Sequence, residues 1–352
     1  TTTGGVKKQV RYRQTWQRRS AAIQELHDFT NIFNLVETVL TNAPIGSETY
    51  TRALTNAVDV EEWFKGDVTQ HLYNNYDSYS YGGGQNAFAY KPERDTWKLL
   101  IWDNDFAFGG AANDANVFSI GGAEHGPRND HPPFARIYWQ ALIEAVNGMM
   151  TAARSNPILD SRYNGMVAAG ATVASPQGIK DFIAARRTYL LSLIAANQGS
   201  FRITSNAGQD FSTNRNFVTL SGTAPLAART MLVNGIPLTA TWTSLSNWTA
   251  RLPLLAAGTN VLLFTALDSL GNPVAGVSNT IRVNFTGVID PPQRVVLNEI
   301  HYHPAVPDTS FLEIFNSSSA TTFDVSGWRV EGVDGAIPAG TFLEPGQFLV
   351  MA

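Results

Sequence analysis

The feature that most constrains this chain is a change in hydrophobic period near residue 199. Between Gln177 and Ala196 the apolar residues Ile179, Phe182, Ile183, Tyr189, Leu190 and Ile194 recur at the spacing of a helix face. From Ser200 to Thr286 the chain turns to Thr, Ser, Val, Asn and Gly, in short β-prone runs: FVTLSG, RTMLVNG, ATWTSL, NWTARLPL, TNVLLFTALD and NTIRVNF. A period near 3.6 keeps one face apolar only when coiled, and a period of two only when pleated. The chain is therefore read as multidomain. A helix-rich α+β region occupies 1–199, and two all-β regions occupy 200–290 and 291–352, in line with the two or three units expected of 352 residues.

Turn residues, among them Asn234-Gly235 and Gly271-Asn272-Pro273, separate the middle runs at the intervals of an immunoglobulin-like sandwich. In the last region VVLNEIHYHP, FLEIFNSS, VSGWRVEG and GTFLEPGQFLVMA again read as strands. In the first, Asp59 stands as a helix N-cap with Glu62 three residues on, and Val60, Trp63, Phe64, Val68 and Leu72 follow as an apolar face. That helix ends at Asn74, Asn75 and Asp77. Asn86–Tyr90 and Trp97–Trp102, joined by KPERD, read as a hairpin, and Pro132-Pro133 opens another helix.

A net charge of −4 without a block of like charge argues against a large nucleic-acid surface. The absence of Cys excludes a disulfide scaffold, thiolate catalysis and Cys-ligated zinc. No apolar run approaches the roughly 18 to 20 residues that span a membrane, and the N-terminal TTTGGVKKQVRYR lacks a signal-peptide core. Both ends are abrupt, so the sequence reads as a piece of something longer.

Candidate chemistry concentrates in residues 74–109, NNYDSYSYGGGQNAFAYKPERDTWKLLIWDNDFAFG, where acids and amides sit at the ends of strand-like runs. Such oxygens beside glycine-rich turns suit a hard cation such as Mg²⁺. If the chain stays extended through Asn104, Asp103 and Asp105 share one side. Trp102, Phe106 and Phe108 are expected to wall the site and lower its dielectric. Other readings stay open. Asp77 serves equally as a cap after its helix, Asn86 as a turn residue, Asp103 and Asp105 as solvated loop carboxylates, and Gly82–Gly84 as a flexible turn. The spacing after Asp103 fails an EF-hand, and no phosphate-loop lysine follows the glycines. His71 completes a polar helix face; His125 and His131, in EHGPRNDHPP, mark a surface loop more readily than a metal site. Glu299, His301 and His303 imitate a metal triad along one strand but suit a structural role. The sequons at Asn247, Asn284 and Asn316 are chance matches.

The order of these features resembles the CotH protein-kinase family. Asn75-Tyr76-Asp77, Asn86-Ala87-Phe88-Ala89-Tyr90 and Trp102-Asp103-Asn104-Asp105-Phe106-Ala107-Phe108-Gly109 correspond to its Asn-aromatic-Asp, Asn-led strand and Trp-Asp-x-Asp motifs. HPPFARIYWQALIEAVN and IKDFIAARRTYLLSLI look like its following helices, so the likeness runs over about residues 11–194. It implies Asp77 as the catalytic Asp and Asn86, Asp103 and Asp105 as metal ligands, with ATP and Mg²⁺ as cofactors and a protein hydroxyl as acceptor. The family's nucleotide-covering part lies before this region; Lys7, Lys8, Arg11 and Arg13 are the basic residues nearest to it. The last region resembles a lamin-tail domain through LNEIHYHP, FLEIFNSS, VSGWRVEG and FLEPGQFLV, with its final strands missing. The combination implies a secreted or surface-exposed bacterial protein. The alternative is a non-catalytic structural or adhesive protein with a degenerate kinase-like domain, whose β modules serve attachment or self-assembly.

Overall fold

The computed structural model describes residues 2–3, 6–10, 12, 16–17, 19, 28–40, 46–81, 85–108, 112–118, 130–303, 305–306, 310–331 and 336–351. Gly82–Gly84, His125, Arg11 and Arg13 lie outside this set. The chain divides into two compact units, Thr1–Gln198 and Gly199–Ala352.

The first unit is mixed α and β. Strands β1 (Thr2–Thr3) and β2 (Val6–Lys7) pair antiparallel, and helices α1 (Thr30–Leu40), α2 (Glu48–Ala57) and α3 (Val60–Leu72) follow. Asp59 caps α3, its side chain accepting from the Glu62 N–H at 3.1 Å. Glu62 does not reach back as in a capping box; its carboxylate accepts from the Leu99 N–H at 2.8 Å. It thereby fixes the hairpin β3 (Ala87–Tyr90) and β4 (Lys98–Ile101) against the helix. Lys98 reinforces the seam with a 2.7 Å ion pair to Asp59. Gly66 lets the two approach closely: a Cβ there would lie 3.1 Å from the Leu99 side chain. Helix α3 is buried on nearly all sides, including Asp67, Gln70 and His71, so His71 lies inside rather than on a polar outer face.

Helix α4 (Pro132–Asn147) packs Phe134 and Tyr138 edge-on against Phe64 of α3, with centroids 6.2 Å apart in each pair. His131, read from sequence as part of a surface loop, is buried at its start. Helix α5 (Ala152–Ala168) buries only Ser155 and carries Pro157. It leads to α6 (Gln177–Asn197), whose Ile183, Arg186 and Leu190 are buried. Arg187 closes α4 by donating to the Val146 carbonyl at 2.7 Å.

The second unit is all β. Strands β5 (Arg202–Ile203), β7 (Phe217–Thr223), β10 (Thr241–Trp242) and β11 (Asn247–Pro253) form one sheet in the order β10-β11-β7-β5. Strands β6 (Phe211–Thr213), β8 (Thr230–Val233), β9 (Ile236–Pro237), β12 (Gly258–Leu267) and β13 (Pro273–Phe285) form a second sheet, with β6 parallel to β13. Their inner faces share a core that includes Leu220, Trp248, Phe264, Ile281 and Val283. The β8–β9 turn has φ of 51° at Asn234 and 82° at Gly235, as an Asn-Gly hairpin requires.

Strands β14 (Val295–His301), β15 (Phe311–Asn316) and β18 (Phe348–Met351) form a three-stranded sheet. With the pair β16 (Phe323–Asp324) and β17 (Phe342–Leu343) it encloses Leu312, Ile314, Val325, Ile337 and Leu343. The strand read at VSGWRVEG is instead a turn at Ser326-Gly327 followed by irregular backbone, with Gly327 at φ 73°. This part belongs to the same unit as the two sheets. The Asn216 side-chain amide exchanges hydrogen bonds with the Thr322 backbone, and Arg251 lies between the rings of Phe217 (4.6 Å) and Phe342 (4.8 Å) while pairing with Glu344 at 2.8 Å.

Candidate phosphotransfer site

Helix α3 delivers its C-terminal exit to the open end of the β3–β4 hairpin. Asn74 leaves the helix at φ 51°, and its side-chain amide donates to the Ala112 carbonyl at 3.0 Å. On the far side the Phe108 N–H donates to the Tyr73 carbonyl at 2.7 Å. Residues 102–108 are thereby fastened to the helix exit. Arg186, fully buried on α6, donates to the His71 carbonyl at 2.8 Å and to the Asn113 and Ala115 carbonyls, which fixes both the exit and the segment beyond it. Desolvation holds the guanidinium below its ordinary pKa.

Sequence-distant candidates meet at this point. Asn86 Nδ2 donates to the Asp77 carboxylate at 2.9 Å and to the Asp77 carbonyl at 2.8 Å, and Gln85 donates to the same carboxylate. Asn86 precedes β3 and Asp103 follows β4. The two flank the hairpin's open end, joined by the Trp102 N–H to Asn86 carbonyl bond at 3.1 Å. Both are left-handed, with φ of 59° and 52°, an arrangement that costs about 1 kcal/mol per residue and that Asn and Asp bear best.

The extended run expected through Asn104 is therefore absent. The backbone reverses at Asp103 and enters a turn at 105–108. The two carboxylates still adjoin. Withdrawal from water, then the hydrogen-bonding and negative charge of Asp103, and at longer range the charge of Asp77, push Asp105 above the usual carboxylate range. The aromatic wall is one-sided. Phe108 packs on Tyr73 (5.0 Å) and Phe182 (5.7 Å), whereas Trp102 is 59% exposed and Phe106 is also exposed, so water reaches the carboxylates.

Beneath Asp103 lies an amide cluster that joins Asn75 and Asn104 of two motifs to Gln70, which sequence reading did not single out. Asn75 Nδ2 donates to Gln70 Oε1 (2.7 Å), to the Asp103 carbonyl (3.0 Å) and to Asn104 Oδ1 (3.2 Å), and Gln70 Nε2 donates to Asn104 Oδ1 (3.1 Å).

Carboxylate and amide oxygens suit Mg²⁺, and the buried Asn75 Oδ1 has no partner among the described residues, a spare acceptor beside them. The donor chemistry thus fits the cation. The donors are not drawn together: among the described residues no three His, Asp or Glu side chains converge tightly enough to hold a metal. That applies equally to Glu299, His301 and His303; His301 instead stacks on Phe311 at 4.9 Å. Of the N-terminal basic residues, Lys7 pairs with Glu37 on α1. No helix among the described residues is long and apolar enough to cross a membrane.

No curated protein matches the chain. Residues 3–146, which include Asp77, Asn86, Asp103 and Asp105, match the family described as CotH kinase protein.

Proposed function

We propose that the first unit carries a CotH-type protein kinase site, transferring the γ-phosphoryl group of ATP, held with Mg²⁺, to a hydroxyl of an extracellular protein. What carries this assignment is the 2.9 Å bond from Asn86 to Asp77 at the mouth of the hairpin that also bears Asp103, which joins three separate motifs in one place. The family match over residues 3–146 supports it.

Phosphoryl transfer asks little covalent chemistry of a protein; positioning and charge dominate. Bound Mg²⁺ supplies neutralisation of phosphate charge. Asp77 orients the acceptor hydroxyl and takes its proton as the new O–P bond forms and the bond from the γ-phosphorus to the leaving ADP oxygen breaks. Asn86 holds the Asp77 carboxylate in place and, with Asp103 and Asp105, presents oxygen ligands. The open, hydrated setting leaves room for a macromolecular acceptor. We further assign 200–290 as an immunoglobulin-like module and 291–352 as lamin-tail-like, and place the protein outside the cell or on its surface, which protease treatment of intact cells tests.

The test of catalysis is Mg²⁺-dependent transfer from γ-labelled ATP to casein. The full-length protein, with the nucleotide-covering part that precedes this region in the family, labels the acceptor, and Asp77→Asn lowers the rate by about 10²–10⁴-fold, the range of a positioned general base. Equal labelling by the variant removes Asp77 from its role. A second reading is a non-catalytic surface protein with a degenerate kinase-like domain. It requires that no Mg²⁺-dependent ATP binding be measurable.

A further inference from the structure

We infer that Gln70, acting with Asn75, is a positioning residue that sets the backbone of the Asp103 metal ligand; this rests on the assignment of Asp103 in the proposed function. Gln70 sits in the last turn of α3, 4% exposed, beside other buried polar residues such as Asn74 and Asn75. Packing alone would be met by an aliphatic side chain of the same length. Its amide is instead used at both ends: Oε1 accepts from Asn75 Nδ2 at 2.7 Å, and Nε2 donates to Asn104 Oδ1 at 3.1 Å. Its backbone carbonyl also accepts the Asn75 N–H at 3.0 Å.

Asn75, 1% exposed, passes this restraint to the Asp103 carbonyl at 3.0 Å. That carbonyl belongs to a residue at φ 52°, a conformation unfavourable for a side chain by about 1 kcal/mol unless surrounding bonds hold it. The cluster therefore clamps the reversal that turns the Asp103 carboxylate toward Asp105 and away from a continued strand. Removing outer partners of a metal ligand typically weakens metal binding about 10–100-fold.

The test uses Mn²⁺ as probe on the whole chain, with affinity from electron paramagnetic resonance, Mn²⁺-induced broadening of the Asp103 carboxyl ¹³C resonance, and thermal unfolding as control. Gln70→Met keeps length and loses both hydrogen bonds. It should weaken Mn²⁺ binding at least about 10-fold and reduce the broadening at Asp103. If Gln70→Met unfolds, Asn104→Ala, at an exposed position, should still weaken binding about threefold or more. Native Mn²⁺ affinity in Gln70→Met or in Asn104→Ala, with binding lost in Asp103→Ala, overturns this inference alone. Native affinity in Asp103→Ala overturns the metal assignment and this inference with it.

Discussion

His131 can be used to ask whether the first unit is held as described. Its ring is fully buried; Nδ1 accepts from the Gly46 N–H at 2.8 Å, and Nε2 lies 2.7 Å from Thr51 Oγ1. A backbone N–H can only donate, so Nδ1 must be bare and the ring neutral, with its proton on Nε2 facing Thr51. Burial pushes the pKa down from 6.5 to about 4. The unfolded chain takes up this proton near pH 6.5 and the folded one only near 4. The stabilisation is therefore full above 6.5 and is lost progressively as pH falls from there through about 4. At about 1.4 kcal/mol per tenfold difference in proton affinity, the full loss is about 3 kcal/mol. Urea unfolding of the first unit between pH 7.5 and 4, beside His131→Gln, isolates the effect because the glutamine does not titrate. Native stability should fall by about 3 kcal/mol more than that of the variant across this range. Parallel curves, or the His131 resonance itself titrating near 6.5, would refute the buried neutral imidazole.

Arg186→Met should destabilise the first unit by about 1–3 kcal/mol, because it leaves the buried His71 carbonyl without its partner and frees those of Asn113 and Ala115, and denaturant unfolding measures it. Gly222→Ala should destabilise the second unit by about 1–3 kcal/mol or more, read from its melting transition, since the new Cβ would lie 2.3 Å from the Arg202 carbonyl and 2.5 Å from the Trp248 ring. Mn²⁺ affinity should rise as pH climbs through the ionisation of Asp105, whose pKa desolvation and Asp103 raise, and should then level off; an affinity that acid does not lower contradicts the shared carboxylate site.

Features governed by local chemistry could be read in the sequence. Asp59 caps its helix, KPERD joins a hairpin, Pro132-Pro133 opens α4 and Asn234-Gly235 turns between β8 and β9. The period change near residue 199 anticipated the boundary between helical and β structure. Features decided by tertiary contacts could not be read. Helix α5 has no apolar stripe, because it buries almost nothing. His131 stands among Gly, Asp and Pro, yet is sealed in by Gly46 and Thr51 from far along the chain. The reversal at Asp103 breaks the strand pattern by a backbone rotation that Asp tolerates but does not by itself announce, and its support comes from Gln70, which in a helical window reads as one more polar residue. Asp77 and Asn86 were legible as candidates, but their contact was not.

The most direct test of the central claim is the Mn²⁺ dissociation constant of the native chain against that of Asp103→Ala, by electron paramagnetic resonance with folding confirmed by circular dichroism. A site built on Asp103 should bind saturably and lose more than the about 10–100-fold typical of outer-partner changes when this carboxylate is removed. Equal dissociation constants for the two proteins would contradict it.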